Sequence, residues 1–219
     1  MTVRTRSLVA SLVASLAAAA ILAGGAGAAA AKNDRPADQA VRDAALLKMR
    51  AALIVAVKRR DTAAVLGHFT PKVMLSFGGD AGRARLRQLL ASDRGLWANL
   101  EWVLENGGYF NRDGSFTAPW TFHASAKGIE GVEAGVLSAT RVNIRSAPRS
   151  DAPVLATLSF GVLKIIYEQN GPKAWRKVQL PGNKVGFVHR RFIRSVIDYR
   201  ATFTRVNGRW MISSFVAGD

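Results

Sequence analysis

Apolar and polar positions follow two different periods along this chain, and the change of period divides it. After an apolar run from Leu8 to Ala23 and a polar tether from Lys32 to Ala37, apolar residues return at helical spacing. Val41, Ala45, Met49, Ala52 and Ala56 predict a helix over Asp38–Arg60, with Lys58, Arg59 and Arg60 at the end where cations suit the helix dipole. Thr62–His68 predicts a second, short helix with Asp61 as its N-cap. Val73, Leu75 and Phe77 alternate and predict a strand. Gly78–Gly82 turns the chain into a helix over Arg83–Ala91. Leu96, Leu100, Val103 and Leu104 predict a helix over Leu96–Asn106, closed by Gly107 and Gly108. Tyr109–Phe110 and Phe116–His123 read as strands around a turn at Asn111–Gly114.

From Val136 the apolar runs become short and turn residues fall between them. Five strands are predicted: Val136–Ile144 with a bend, Val154–Leu158, Val162–Tyr167, Trp175–Leu180 and Lys184–His189. A small closed barrel is the economical way to bury such strands and remove their edges. Tyr199–Val206 and Trp210–Val216 then form a hairpin around Asn207-Gly208, a type I′ turn signal. The expected class is α+β: N-terminal helices packed on an antiparallel sheet, with a small β-barrel inserted before a C-terminal hairpin. The expected division is residues 1–31 as a leader, 32–130 with 197–219 as an α+β domain, and 131–196 as the barrel.

Charge sharpens this picture. The 219 residues carry a formal net charge of +16. Arg4 and Arg6, the apolar run and the small residues ending at Ala31 form a secretory signal pattern with a cut expected after Ala31. A retained membrane anchor is the alternative, since the run is long enough to span a bilayer, but Ala and Gly dominate it. Cleavage makes the protein secreted or periplasmic, with no membrane span left. Without the leader the chain carries +14, and Val136–Val196 alone holds +9 of that. Such a balance favours anionic partners: nucleic acid, phospholipid head groups or acidic wall polymers. A solvated basic surface is the plain alternative. The absence of cysteine excludes a disulfide framework, a thiol nucleophile, a thiolate metal site and an acylated cysteine.

Five landmarks within the basic segment occur in order. They are Val142-Asn143-Ile144-Arg145-Ser146-Ala147-Pro148, Val154-Leu155-Ala156-Thr157-Leu158, Gly161-Val162-Leu163-Lys164-Ile165-Ile166, Trp175-Arg176-Lys177-Val178 and Gly186-Phe187-Val188-His189. Together they resemble the bacterial SH3 domain, over somewhat more than a quarter of the chain. Ala147 replaces the turn glycine of that family, and Phe187 replaces its common Trp. The resemblance implies an envelope-associated module binding peptidoglycan peptides or wall polymers. Family members often accompany wall hydrolases with a Cys nucleophile, which this chain lacks, so binding is expected rather than cutting. The flanking helices with Val73-Met74-Leu75-Ser76-Phe77-Gly78-Gly79, and the terminal hairpin, resemble a SnoaL-like (cystatin-like) cone. The whole arrangement is also similar to secreted bacterial proteins to which no activity is attached.

Candidate ligand-binding residues in the barrel are Asn143, Arg145, Tyr167, Trp175, Lys177, Phe187, His189, Arg190 and Arg191. Aromatic faces beside cations suit a sugar or peptide ligand with acidic groups; for Tyr167, Trp175 and Phe187 a place in the core is the alternative. Arg190, Arg191 and Arg194 form the densest charge cluster, either a solvated edge or an attraction for anionic polymer. Tyr109, Trp120 and His123 are a second candidate pocket, with core packing as the simpler reading. His68, His123 and His189 lack metal-ligand spacing, so neither metal nor cofactor is expected. Glu101 and Glu105 share a helical face, which is more often solvated than catalytic. Gly78–Gly82 lacks the ending of a phosphate-binding loop. No catalytic residue is assigned. The reading is a secreted or periplasmic, non-catalytic envelope protein that binds peptidoglycan or another anionic envelope polymer, with a peptide or protein partner also compatible. Export argues against nucleic acid. The alternative is a SnoaL-like small-ligand-binding or enzymatic protein.

Overall fold

The computed structural model describes residues 35–124 and 128–218. The apolar leader and its cut site lie outside the described residues. Four α-helices come first: α1 (Ala44–Lys58), α2 (Thr62–Gly67), α3 (Arg83–Ser92) and α4 (Arg94–Glu105). Side-chain carboxylates start three of them, each accepting a backbone N–H. Asp43 accepts from Leu46 at 3.0 Å, Asp61 from Ala64 at 3.0 Å and Asp93 from Gly95 at 2.7 Å. A cap of this kind stabilises a helix by about 1 kcal/mol.

The long helix expected over Asp38–Arg60 is instead a 3-10 turn, Gln39–Arg42, and α1. They part at Asp43, whose backbone is extended (φ −138°, ψ 102°). The break resets the buried face to Leu46, Arg50, Leu53, Ala56 and Val57, and leaves Val41 69% exposed. Alanine-rich segments give little apolar contrast, so the periodicity fitted an adjacent register.

Five strands form the first sheet, in the order β1 (Phe69–Met74), β12 (Arg209–Val216), β11 (Arg200–Val206), β3 (Phe116–Ala118) and β2 (Tyr109–Phe110). Its pairs are antiparallel except β1 with β12, which is parallel. β1 begins at Phe69 rather than Val73. Pro71 fits within it because an edge strand tolerates a missing N–H. β3 stops before Pro119, and Trp120–His123 is a 3-10 turn instead of further strand. The four helices cover this sheet through a core that includes Leu53, Val57, Leu86, Leu100, Phe116, Phe203 and Ile212.

The second sheet is the barrel, ordered β10 (Ile193–Ser195), β4 (Ala134–Leu137), β7 (Val162–Ile166), β8 (Trp175–Leu180), β9 (Lys184–His189), β5 (Val142–Arg145) and β6 (Val154–Leu158). The bent strand expected over Val136–Ile144 is two strands, with Arg141 at φ 53° between them. β10, three residues long, was too short for its pattern to show. Leu137, Val142, Ile144, Ile165, Val178, Val188 and Ile193 fill the interior. Chain connectivity sets the barrel between β3 and β11, and β11 pairs with both β3 and β12. Trp120, Ala134, Val136 and Val196 form a third buried cluster, joined by Tyr109, Phe160 and Ile197.

Candidate functional site

The barrel pleat decides which side chains face outward. Val142 and Ile144 point in, so Asn143 and Arg145 point out; the same alternation turns Trp175 and Lys177 away from Val178, and Phe187 and His189 away from Val188. Strand register then lines them up. Trp175 pairs with His189, Lys177 with Phe187, and Phe187 with Arg145. Side chains from three adjacent strands therefore form one outer patch.

A groove of about 310 Å³ opens on this face, lined by Asn143, Arg145, Trp175, His189, Arg191 and Phe192 together with Thr140, Arg141, Val142 and Ser150. Its floor is aromatic. The Trp175 and His189 rings lie edge to face at 5.4 Å between centroids, and His189 meets Phe192 at 6.3 Å. The Arg191 guanidinium sits 4.4 Å from the Phe192 ring centroid. His189 Nδ1 accepts the Arg191 backbone N–H at 3.3 Å, which leaves the proton of the neutral ring on Nε2.

Three arginines line the groove and no carboxylate does. Arg145 Nη1 donates to the Ala152 carbonyl at 2.7 Å, which fixes the side chain against the Ser146–Pro153 loop. That loop closes by Ser146 N–H to Pro153 O at 2.9 Å and Arg149 N–H to Ala147 O at 2.8 Å. Ala147 is not among the residues at positive φ, so the missing glycine imposes no strain there. Arg149 is paired with Asp151 at 2.6 Å and lies outside the lining. At the other end the Asn143 Oδ1 accepts from Thr157 Oγ1 at 2.8 Å. A surface of this kind offers stacking faces, fixed donors and uncompensated positive charge, which suits an anionic ligand with a flat or apolar body.

The remaining candidates fall elsewhere. Tyr167 and Lys177 border a smaller hollow of about 60 Å³ beside Trp175, where the Lys177 Nζ pairs with Glu168 at 2.5 Å. Phe187 is partly buried within the patch, between Arg145 and Lys177. The arginine cluster is split: Arg191 faces the groove, whereas Arg190 and Arg194 face a different cavity. Arg194 is not on a solvated edge, its side chain being only 19% exposed. Arg141 and Phe192 belong to the groove but were missed. Arg141 enters through the positive-φ turn before β5, and Phe192 through the 3-10 turn after β9, neither of which alternation reveals.

Trp120 is 2% exposed and packs edge to face on Phe160 at 6.0 Å. Tyr109 and His123 contact each other at 4.9 Å. The buried polar side chains among the described residues are Arg50, Ser115, Thr117, Thr121 and Arg200, none of them a carboxylate. Glu101 and Glu105 both face Lys58, at 3.8 and 2.6 Å. Among the described residues no helix is long and apolar enough to cross a membrane.

Residues 140–194 match the family model of the bacterial SH3 domain. That span holds the groove and every residue lining it. No curated protein matches the chain.

Proposed function

We propose that this chain is a non-catalytic protein of the bacterial envelope, whose SH3 domain takes wall peptide or an anionic envelope polymer in the groove beside Trp175. The observation that carries this reading is the convergence of Asn143, Arg145, Trp175, His189 and Arg191 on one concave face with three guanidinium groups and no acid. Bacterial SH3 domains commonly bind cell-wall material, and they occur in extracellular or envelope proteins. The basic leader-like N-terminus supports export. Residues 32–130 with 197–219 serve as the frame that holds the barrel, residues 131–196, from both of its ends.

Sedimentation with purified peptidoglycan at physiological salt tests this. The protein is expected to pellet with the polymer, and Trp175→Ala to weaken binding at least tenfold, the usual effect of truncating a central aromatic anchor. Arg145→Gln with Arg191→Gln is expected to weaken it and to flatten its salt dependence. A protein that stays in the supernatant while a known wall-binding module pellets would remove the proposal.

A further inference from the structure

A second cavity, of about 420 Å³, opens at the other side of the barrel, and none of its lining belongs to the groove. Its floor is aliphatic: Ile165 and Ile193 from the barrel interior and Ile197 from the connection to β11, with Ala217 and Gly218 from the C-terminal segment. Tyr167 stands at the rim, its hydroxyl donating to the Val132 carbonyl at 3.0 Å. Among the described lining residues, three guanidinium groups, Arg176, Arg190 and Arg194, face a single carboxylate, Asp198.

The three arginines are not equivalent. Arg194 is held structurally. It stacks 4.3 Å over the Trp102 ring, donates to Asn99 Oδ1 at 3.1 Å, and pairs through Nε with Asp198 at 2.9 Å, although that N–H does not point along a hydrogen bond. Burial holds Arg194 below the ordinary arginine range; Asp198 offsets part of this, and the nearby charge of Arg190 adds to it. Asp198, the acid among the described lining residues, is thus taken, and two like charges are crowded together. Arg190 is exposed and donates to the Lys173 carbonyl at 3.3 Å, with no ion pair among the described residues. Arg176, partly buried on the inward face of β8, has no hydrogen-bond or ion-pair partner among the described residues. A partly buried guanidinium without a partner beside an apolar floor is costly unless an anion completes it.

We propose that this cavity is a second binding site, for an organic carboxylate with a short aliphatic body such as the C-terminus of a peptide. The carboxylate sits between Arg176 and Arg190, where guanidinium groups match it bidentately, and the aliphatic side chain covers Ile165, Ile193 and Ile197. The apolar floor separates this ligand from a bare inorganic anion, which would leave it uncovered. The cavity lies within the ordinary size range for small-ligand pockets. The proposal stands apart from the groove and does not depend on it.

Calorimetric titration of the whole chain with N-acetyl-Ala-Val, free at its C-terminus, tests it. The same peptide as its C-terminal amide is expected to bind at least tenfold more weakly. Arg176→Gln is expected to lose at least tenfold for the free acid while keeping the parent's urea midpoint, because the Arg176 guanidinium holds no hydrogen bond or ion pair among the described residues and Gln keeps part of the aliphatic stem. Lys72→Gln, the same charge change on the exposed edge strand β1, is expected to bind like the parent. Equal affinity for acid and amide, unchanged binding by Arg176→Gln, an equal loss in Lys72→Gln, displacement by equimolar inorganic phosphate, or no binding of the free acid would each overturn the proposal.

Discussion

At the scale of single residues, Asp38 holds more together than its place in a polar N-terminal stretch suggests. Its carboxylate accepts from the backbone N–H groups of Ala40 and Gly108, each at 3.1 Å, and from both terminal nitrogens of Arg50. It thereby ties the first turn, α1 and the approach to β2 into one network. Asp38→Ala leaves the Arg50 side chain, only 10% exposed, without its partner. Loss of about 3–5 kcal/mol is expected in urea unfolding, and Arg50→Met in the same chain should return part of it. The pH dependence has two windows. Burial of Asp38 raises its pKa, but the Arg50 and backbone hydrogen bonds and the Arg50 charge outweigh that and hold it below the ordinary 3.8. The unfolded chain then takes up this proton first, so stability is lost as pH falls from 3.8 through the folded value. His68 is lowered from 6.5 by burial and then by the Arg209 charge. The unfolded state again binds the proton first, so stability declines as pH falls from 6.5 through the folded value. His123, lowered from 6.5 by burial, adds to the same upper window. A thermal melt followed against pH should show both windows, and His68→Gln should shrink the upper one to the part that His123 contributes while leaving the lower one in place.

At the scale of elements, two glycines show where backbone geometry decides. Gly208 closes the β11–β12 hairpin at φ 77°, beside Asn207 at φ 49°. This is the left-handed pair that a type I′ turn needs, and it is readable from the Asn-Gly dipeptide. Gly135 on β4 is required for a different reason. A Cβ there would lie 2.7 Å from Ile165 Cδ1 and 2.7 Å from Ile193 Cδ1, inside the barrel wall. Gly135→Ala is expected to destabilise the protein by about 1–3 kcal/mol through overpacking, read from the denaturation midpoint. If the midpoint does not move, the interior has slack that the contacts do not show. Short apolar runs bounded by turn residues identified β6, β8 and β9 with their bounds, because the turn chemistry between them marks where each strand ends. The apolar pattern missed the break at Asp43 and the strand β10: the first is a cap within an alanine-rich run, and the second spans only three residues.

At the scale of the whole molecule, the barrel is joined to the rest of the chain by more than its two connections. Trp120 packs among Ala134, Val136 and Val196, while Arg194 of β10 reaches Asn99 and Trp102 of α4. Excised as residues 131–196, the barrel loses those partners. It is expected to unfold at lower urea than the same segment within the full chain, and the described part of the full chain to unfold in one transition. Two well-separated transitions followed by tryptophan fluorescence would show instead that the barrel is energetically independent. The sequence by itself determined the two periodic regimes, the hairpin turn and most barrel strands, since those follow from local alternation and turn chemistry; it left Trp175 open between core and groove, and the strand register of the structure turns it outward. Only the tertiary structure decided which cations share a surface. Arg190 and Arg191 are neighbours in the chain, yet the turn after β9 sends one to each cavity. Arg176 meets Ala217 and Gly218 at the same cavity because the β11–β12 hairpin brings the chain end back to the barrel. Such convergence depends on how remote segments pack, and no local pattern in the sequence encodes it.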